Sequence, residues 1–144
     1  MKVLGRRRLV RTIRAITKET PKEVGPAMTR QANLLRGRAV AVAPELTRKM
    51  ILSSKVTKRS TRGREIRVVS FNTIYAVKQH EGRFKPGPLT AAKSPTQDGI
   101  SGRKYLTRPF NNMVQEKTVE KAIAKALITA IRKATPRRSR KRRR

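Results

Sequence analysis

The sequence predicts an α+β fold, in which a small antiparallel sheet is packed by a long helix from the N-terminal half and by a C-terminal helix. Three stretches of patterning predict it. Apolar residues recur every three or four positions before Pro44, alternate with polar residues from Met50 to Phe71, and return to helical spacing after Pro109. The 144 residues have 36% hydrophobic content, which is enough for one modest core.

Residues 1–19 form a basic segment with an amphipathic pattern. Apolar side chains fall near helical spacing and arginines occupy the positions between them, which favours a short basic helix or an arm that folds on binding. The arginines also interrupt every apolar run that could serve as a signal peptide or a membrane span. We therefore expect no export by a signal route and no membrane partner. The apolar positions are Leu4, Leu9, Val10, Ile13 and Ile16.

A second helix is expected to begin at Thr20. Thr20 can cap a helix, Pro21 suits the first helical position, and Glu23 lies where its side chain can reach back to the cap. Gly25-Pro26 would delay or kink the first turn, and Pro44 would end the helix. The apolar face of this helix consists of Val24, Met28, Ala32, Leu35, Ala39 and Val42.

Strand patterning follows this helix. Apolar and polar residues alternate from Lys49, and the segment Arg64 to Phe71 is rich in Ile and Val. Ser60-Thr61-Arg62-Gly63 is the expected hairpin turn. We expect a sheet made of this hairpin and a further strand.

Glycine and proline dominate residues 82–102, which predicts a long exposed loop of a kind that often carries function. A final helix is expected after Pro109 and ends before Pro136. The predicted organisation is a basic helix or arm over residues 1–19, one α+β domain over 20–134 and a disordered Arg-rich tail over 135–144. The apolar stripe of the final helix consists of Phe110, Met113, Val114, Val119, Ile123, Leu127 and Ile131.

The charge of the chain predicts a polyanionic partner. Lys and Arg number 38 against 8 Asp and Glu, a net charge of +30, so the folded chain repels itself unless negative charge is near. Both ends are strongly basic. Their charges can displace counterions from nucleic acid or pair with carboxylates of an acidic protein surface, and the sequence leaves both open. The residues expected to make this contact are Arg6, Arg7, Arg8, Arg137, Arg138, Arg140, Lys141, Arg142, Arg143 and Arg144.

Catalysis is not expected from this sequence. The absence of cysteine removes thiolate chemistry, disulfides and zinc ribbons. His80 is the only histidine, so even beside Glu81 it cannot supply the paired imidazoles of common metal sites. The acidic residues are scattered singly, which gives no close carboxylate pair for acid–base work. We expect a binding protein without a catalytic residue, a metal, a cofactor or a small-molecule substrate.

Three short motifs occur in a fixed order along the chain. They are Ala43-Pro44-Glu45-Leu46-Thr47, Tyr75-Ala76-Val77-Lys78-Gln79-His80-Glu81-Gly82 and Lys104-Tyr105-Leu106-Thr107-Arg108-Pro109. With the predicted hairpin and flanking helices, this order resembles the small tail-component proteins of tailed bacteriophages, also described as neck or tail-completion proteins. The resemblance covers roughly residues 30–133, most of a domain of this size. The chain departs from the family at Arg48, where a glycine is frequent, and in its Arg-rich tail.

The resemblance implies a structural virion protein that forms an oligomeric ring around the DNA channel, between the head connector and the tail. Its implied partners are further copies of itself and the neighbouring head-connector and tail proteins. The basic charge of the chain adds either non-specific contact with packaged DNA or contact with acidic neighbouring subunits. Its implied location is the head–tail junction of the virion, and the host cytoplasm during assembly. Charge and composition alone also allow a ribosomal or nucleoid-type nucleic-acid-binding protein. The family-motif residues expected to pin the fold or contact a neighbour are Tyr75, His80, Glu81, Gly82, Tyr105, Leu106 and Pro109.

Overall fold

The structure, a computed structural model, describes residues 6–44, 48–61, 64–81, 85, 87–92 and 104–135. These residues are mostly helical and contain one antiparallel hairpin, so the predicted α+β class is confirmed. No helix in the described ranges is long and apolar enough to cross a membrane. In chain order the elements are α1 (Arg6–Val42), α2 (Lys49–Leu52), β1 (Ser54–Thr61), β2 (Arg64–Phe71), α3 (Ala76–His80), α4 (Pro88–Ala91), α5 (Thr107–Gln115) and α6 (Thr118–Ala134).

α1 is one continuous helix, and the helix start expected at Thr20 is wrong. The helix runs through Pro21 and Pro26 without a break. The Thr20 hydroxyl does not act as a cap: Oγ1 donates a hydrogen bond back to the Ile16 carbonyl oxygen at 2.8 Å. The predicted basic helix and the predicted second helix are therefore two parts of the same element.

Contacts divide the chain into two compact units, which we call the end unit (Met1–Ala27 and Glu120–Arg144) and the middle unit (Met28–Val119). In the end unit, the first part of α1 packs against α6. Ala27, Ala126 and Ala130 are buried there, and small side chains allow two helices to approach closely. Lys133 Nζ donates a hydrogen bond to Glu23 Oε1 at 2.6 Å, which joins the two helices.

The middle unit contains the hairpin and its core. β1 and β2 pair antiparallel, with Ser54 opposite Phe71 and Thr61 opposite Arg64. Ser60 and Thr61, expected in the turn, belong to β1, and residues 62 and 63 of the predicted turn lie outside the described residues. The described sheet has two strands, where a further strand was expected. The alternation predicted from Lys49 is also wrong at its start, because Lys49–Leu52 forms the helical turn α2.

The final helix predicted from the sequence is two helices, α5 and α6. Lys117 lies between them with a φ of 53°, in the left-handed region that an α-helix cannot contain. Thr118 stabilises the break, because its Oγ1 donates a hydrogen bond to the Met113 carbonyl oxygen at 3.1 Å. The two parts of the predicted apolar stripe can therefore face different surroundings.

The predicted loop and the basic ends are described only in part. Within residues 82–102, α4 forms one helical turn in which Thr90 is buried. Arg6, Arg7 and Arg8 begin α1. Gly82 and the Arg-rich residues 137–144 lie outside the described residues, so the structure bears on neither the glycine of the second motif nor the predicted tail contacts.

Candidate interaction surfaces

Residues of the three short motifs meet in the core of the middle unit. Ala43, Ala76 and Tyr105 come one from each motif and form a buried cluster together with Met50 of α2. The Tyr105 hydroxyl donates a long hydrogen bond to the Ala76 carbonyl oxygen at 3.4 Å. Its ring meets the edge of Phe71 with centroids 4.9 Å apart. Burial raises the pKa of Tyr105 to about 12, so this hydroxyl stays protonated at neutral pH.

His80 ties the second motif to the third. Its Nε2 shares a hydrogen bond of 2.9 Å with Thr107 Oγ1, and its ring meets Tyr105 edge to face at 5.0 Å. The Lys104 amide donates a hydrogen bond to the His80 carbonyl oxygen at 2.7 Å. Burial lowers the pKa of His80, an effect that Glu81 opposes and Lys104 reinforces. These contacts make His80 a residue that positions the chain.

Arg48, where the resembling family often has glycine, adopts the conformation that glycine favours. Its φ is 56° and its ψ is −12°, so it lies in the left-handed region immediately before α2. Glycine adopts this conformation without the steric cost that a side chain adds.

The middle unit also contains an open apolar groove of about 390 Å³. It is lined by residues of α1, β2 and α5, by Leu106 immediately before α5, and by Val119 of α6. Its volume falls in the range of sites that accept a ligand or a partner's side chains. The apolar side chains that line it are Met28, Ala32, Leu35, Val69, Leu106, Phe110, Met113 and Val119.

Three polar residues line this groove: Thr107, whose Oγ1 is paired with His80, and Arg67 and Gln31. The Arg67 side chain is only 5% exposed, and its charge is paired: Nη2 donates to Glu65 Oε2 and Nε donates to Thr29 Oγ1, both at 2.8 Å. Gln31 Oε1 is buried and has no hydrogen-bond partner among the described residues. A buried acceptor without a donor costs about 1 to 3 kcal/mol, so an occupant that donates a hydrogen bond would be stabilised here.

Large apolar side chains are exposed on the same unit. Ile74 is fully exposed, and Leu52 and Val77 are 80% and 75% exposed. Ser53 Oγ accepts a hydrogen bond from the Asn72 amide at 3.1 Å, which brings the chain near Leu52 close to the chain near Ile74. Phe110 and Val114 on α5 are half exposed. Clustered exposure of this kind marks an interaction surface more often than an ordinary solvent-facing one.

The end unit instead has two basic helix faces. Arg11, Arg14 and Lys18 are exposed on α1, and Lys121, Lys125 and Arg132 are exposed on α6. The residues predicted to contact a polyanion lie nearer the chain ends and do not include these six. Their spacing is the signal that was available, because residues 3, 4 or 7 apart share one face of a helix.

The described residues contain no group of three His, Cys, Asp or Glu side chains that could hold a metal ion. In comparisons with family models, curated proteins and solved structures, nothing matches this chain.

Proposed function

We propose that this protein is a structural virion protein of a tailed bacteriophage that assembles into an oligomeric ring at the head–tail junction, around the DNA channel. The observation that carries the proposal is the apolar surface of the middle unit. The buried hydrophobic residues of the described chain are mostly alanine, with Met50, Tyr105 and Met113 as the larger ones. Ile74 and Val77 are exposed to solvent, so association with a neighbouring copy would bury apolar surface that folding leaves exposed.

The arrangement of the motif residues supports the same proposal. The motifs come from distant parts of the chain and meet at Tyr105, as expected if they specify one fold rather than a reactive centre. The conformation of Arg48 supports the proposal further. A left-handed residue at this position would explain why glycine is frequent there in the resembling family. The function proposed is assembly, with no catalytic step.

The first test is the mass of the purified full-length chain in solution. Sedimentation velocity and light scattering in 0.15 to 0.5 M NaCl should give one discrete oligomer larger than a dimer, and negative-stain images should show closed rings. An apolar interface persists in salt, whereas an association held only by charge weakens. A chain that stays monomeric at every concentration and salt, alone and with phage connector complexes, would contradict the proposal.

Two variants test whether the apolar surface makes the interface. Ile74→Asp and Phe110→Asp should each lower the oligomer mass, because a carboxylate would be buried at the interface without a partner. Ile74 is fully exposed and Phe110 half exposed, so folding is expected to survive, which circular dichroism checks. The matched controls are Asn72→Asp and Asn111→Asp, which add the same charge at exposed positions nearby and should leave the mass unchanged.

The basic faces of the end unit favour a second candidate function, a nucleic-acid-binding protein that acts as a monomer. The mass measurement separates the two. A monomer that binds nucleic acid tightly would favour the second candidate, and a salt-stable oligomer favours the ring.

A further inference from the structure

We infer that the outer face of each end-unit helix is a binding surface for the phosphate backbone of duplex DNA. The two rows, which we together call the helical basic face, are Arg11, Arg14 and Lys18 on α1 and Lys121, Lys125 and Arg132 on α6. The inference deepens the proposed function and rests on it only for the identity of the nucleic acid as DNA.

Two of the three described carboxylates of the end unit, Glu19 and Glu23, are engaged with other cations, and the third, Glu120, is exposed and forms no ion pair among the described residues. Glu19 Oε1 accepts a hydrogen bond from Lys22 Nζ at 2.7 Å, and this bond lowers the pKa of Glu19. Glu23 accepts the hydrogen bond from Lys133, which raises the pKa of Lys133. In the described residues, no carboxylate forms an ion pair with any member of the helical basic face. Lys18 is close enough to Glu19 to help lower its pKa, but none of the six positive charges is held in an ion pair among the described residues.

The helices point these charges away from the packing between them. On α1, residues 11, 14 and 18 are exposed, whereas Glu23 and Ala27 lie on the side that meets α6. On α6, residues 121, 125 and 132 are exposed, and Ala126 and Ala130 are buried. Each face is thus a row along a rigid helix, and its geometry does not depend on the chain ends.

The length of each row suits a DNA backbone. At about 1.5 Å per residue, the α1 row spans roughly 10 Å and the α6 row roughly 16 Å. A DNA strand advances about 3.4 Å per phosphate along the duplex axis, so each row covers several consecutive phosphates. Such rows give affinity without sequence preference, as a protein that surrounds passing DNA requires.

The α1 row favours DNA over an acidic protein as the partner. A protein interface concentrates its binding energy in buried aromatic and apolar anchors surrounded by a polar rim. Ile13 and Ile128 are exposed beside the two rows, but no aromatic residue lies on either end-unit helix. A regular row of cations without aromatic anchors matches a uniform polyanion.

The test compares two triple variants of the full-length chain that lose the same charge. The first carries Arg11→Gln, Arg14→Gln and Lys18→Gln. The control carries Lys55→Gln, Arg59→Gln and Arg64→Gln, which are exposed hairpin positions in the middle unit without an ion pair among the described residues. Glutamine is a good helix former, so α1 should persist, as checked by circular dichroism. Binding to a fluorescent 20-base-pair duplex is followed by anisotropy from 0.05 to 0.3 M NaCl.

The salt dependence gives the sharpest readout. Each phosphate contact contributes about 0.9 to the slope of log K against log salt concentration, so the α1 triple variant should lose about 2 to 3 from the slope. Its affinity at 0.1 M NaCl should fall about tenfold or more, and the control should change little. The corresponding variant of Lys121, Lys125 and Arg132 should behave like the α1 variant.

Three results would overturn the inference. They are equal losses in the variant and the control, no DNA binding by the unchanged chain, and unchanged DNA binding with lost binding to polyglutamate, which would assign the face to an acidic protein. Oligomer mass is measured on the same samples. If the oligomer is intact and the triple variants bind DNA as the unchanged chain does, this inference is wrong and the ring proposal is unaffected. If the chain is a monomer whose DNA binding depends on the helical basic face, only the ring proposal is wrong.

Discussion

At the scale of single residues, His80 shows how packing replaces the chemistry that its type suggests. A histidine beside Glu81 resembles half of a metal or acid–base site, yet its ring is held between Thr107 and Tyr105. Glu81 is exposed, and the described residues contain no group of three His, Cys, Asp or Glu side chains that could hold a metal ion. The side chain therefore links two segments of the fold, and its protonation should affect stability.

The pKa of His80 makes this testable. Burial lowers its pKa in the folded chain below the ordinary value of 6.5, so the unfolded chain takes up the proton first as the pH falls. The stabilisation is complete above pH 6.5 and is lost as the pH falls through the lowered pKa. Thermal melts from pH 8 to pH 5.5 should show the melting temperature decreasing.

The control variant is His80→Gln, which keeps a polar group near Thr107 and cannot titrate. Because His80 is the only histidine, most of the pH dependence in this window should disappear in the variant. A wild-type chain that becomes more stable on acidification would show instead that the fold favours the charged imidazole.

Part of this residue-scale picture can be predicted from the sequence. Tyr105 and His80 belong to the same set of predicted motif residues, but only the fold brings the two rings 5.0 Å apart. No sequence pattern marks Arg67 or Gln31, since a strand arginine and a helix glutamine are common surface residues. They are buried because α1, α5 and β2 come together around the groove. Patterns within short stretches of sequence do not predict contacts between elements that are far apart along the chain.

At the scale of elements, the sequence predicted the main helices and the hairpin but misjudged where helices begin and end. Thr20-Pro21 has the chemistry of a helix start, and Pro21 removes one backbone hydrogen bond from the interior of α1. The packing of α6 and the Lys133–Glu23 hydrogen bond oppose that cost. Tertiary contacts of this kind override local signals, and they involve residues more than a hundred positions apart.

At Lys117 the helix breaks where the sequence predicts none. Neither glycine nor proline lies between α5 and α6, so no local signal predicts the break. A left-handed lysine costs roughly 1 kcal/mol relative to glycine, so Lys117→Gly should stabilise the chain by roughly 0.5 to 1 kcal/mol. Urea unfolding followed by circular dichroism measures the change.

The control is the same substitution at Lys125, an exposed residue within α6. Glycine in a helix interior is unfavourable, so Lys125→Gly should destabilise the chain by a similar amount. Opposite signs at two lysines eight residues apart would confirm that backbone conformation decides the effect. Destabilisation at both would mean that residue 117 does not occupy the left-handed region in solution.

At the scale of the whole molecule, composition correctly indicated a small core and a strong charge imbalance, but it could not say where the charge lies in space. The two most basic stretches of sequence are the chain ends, so the sequence alone predicts that the ends contact the polyanionic partner. The helical basic face is spread over residues 11–18 and 121–132, and only folding places both rows on one unit.

The net charge of +30 predicts how the whole chain responds to salt. Like charges are closer together in the folded chain than in the unfolded chain, so repulsion opposes folding, and added ions screen it within about 10 Å at 0.1 M. Raising NaCl from 0.05 to 0.5 M should therefore increase the melting temperature. Association between copies changes the size of the effect but not its sign, because repulsion between copies is screened as well.

The hairpin triple variant used as the DNA-binding control has three charges fewer and should show a shallower increase. A melting temperature that falls with salt would mean that the few ion pairs, such as Lys133–Glu23, outweigh the repulsion of the unpaired cations.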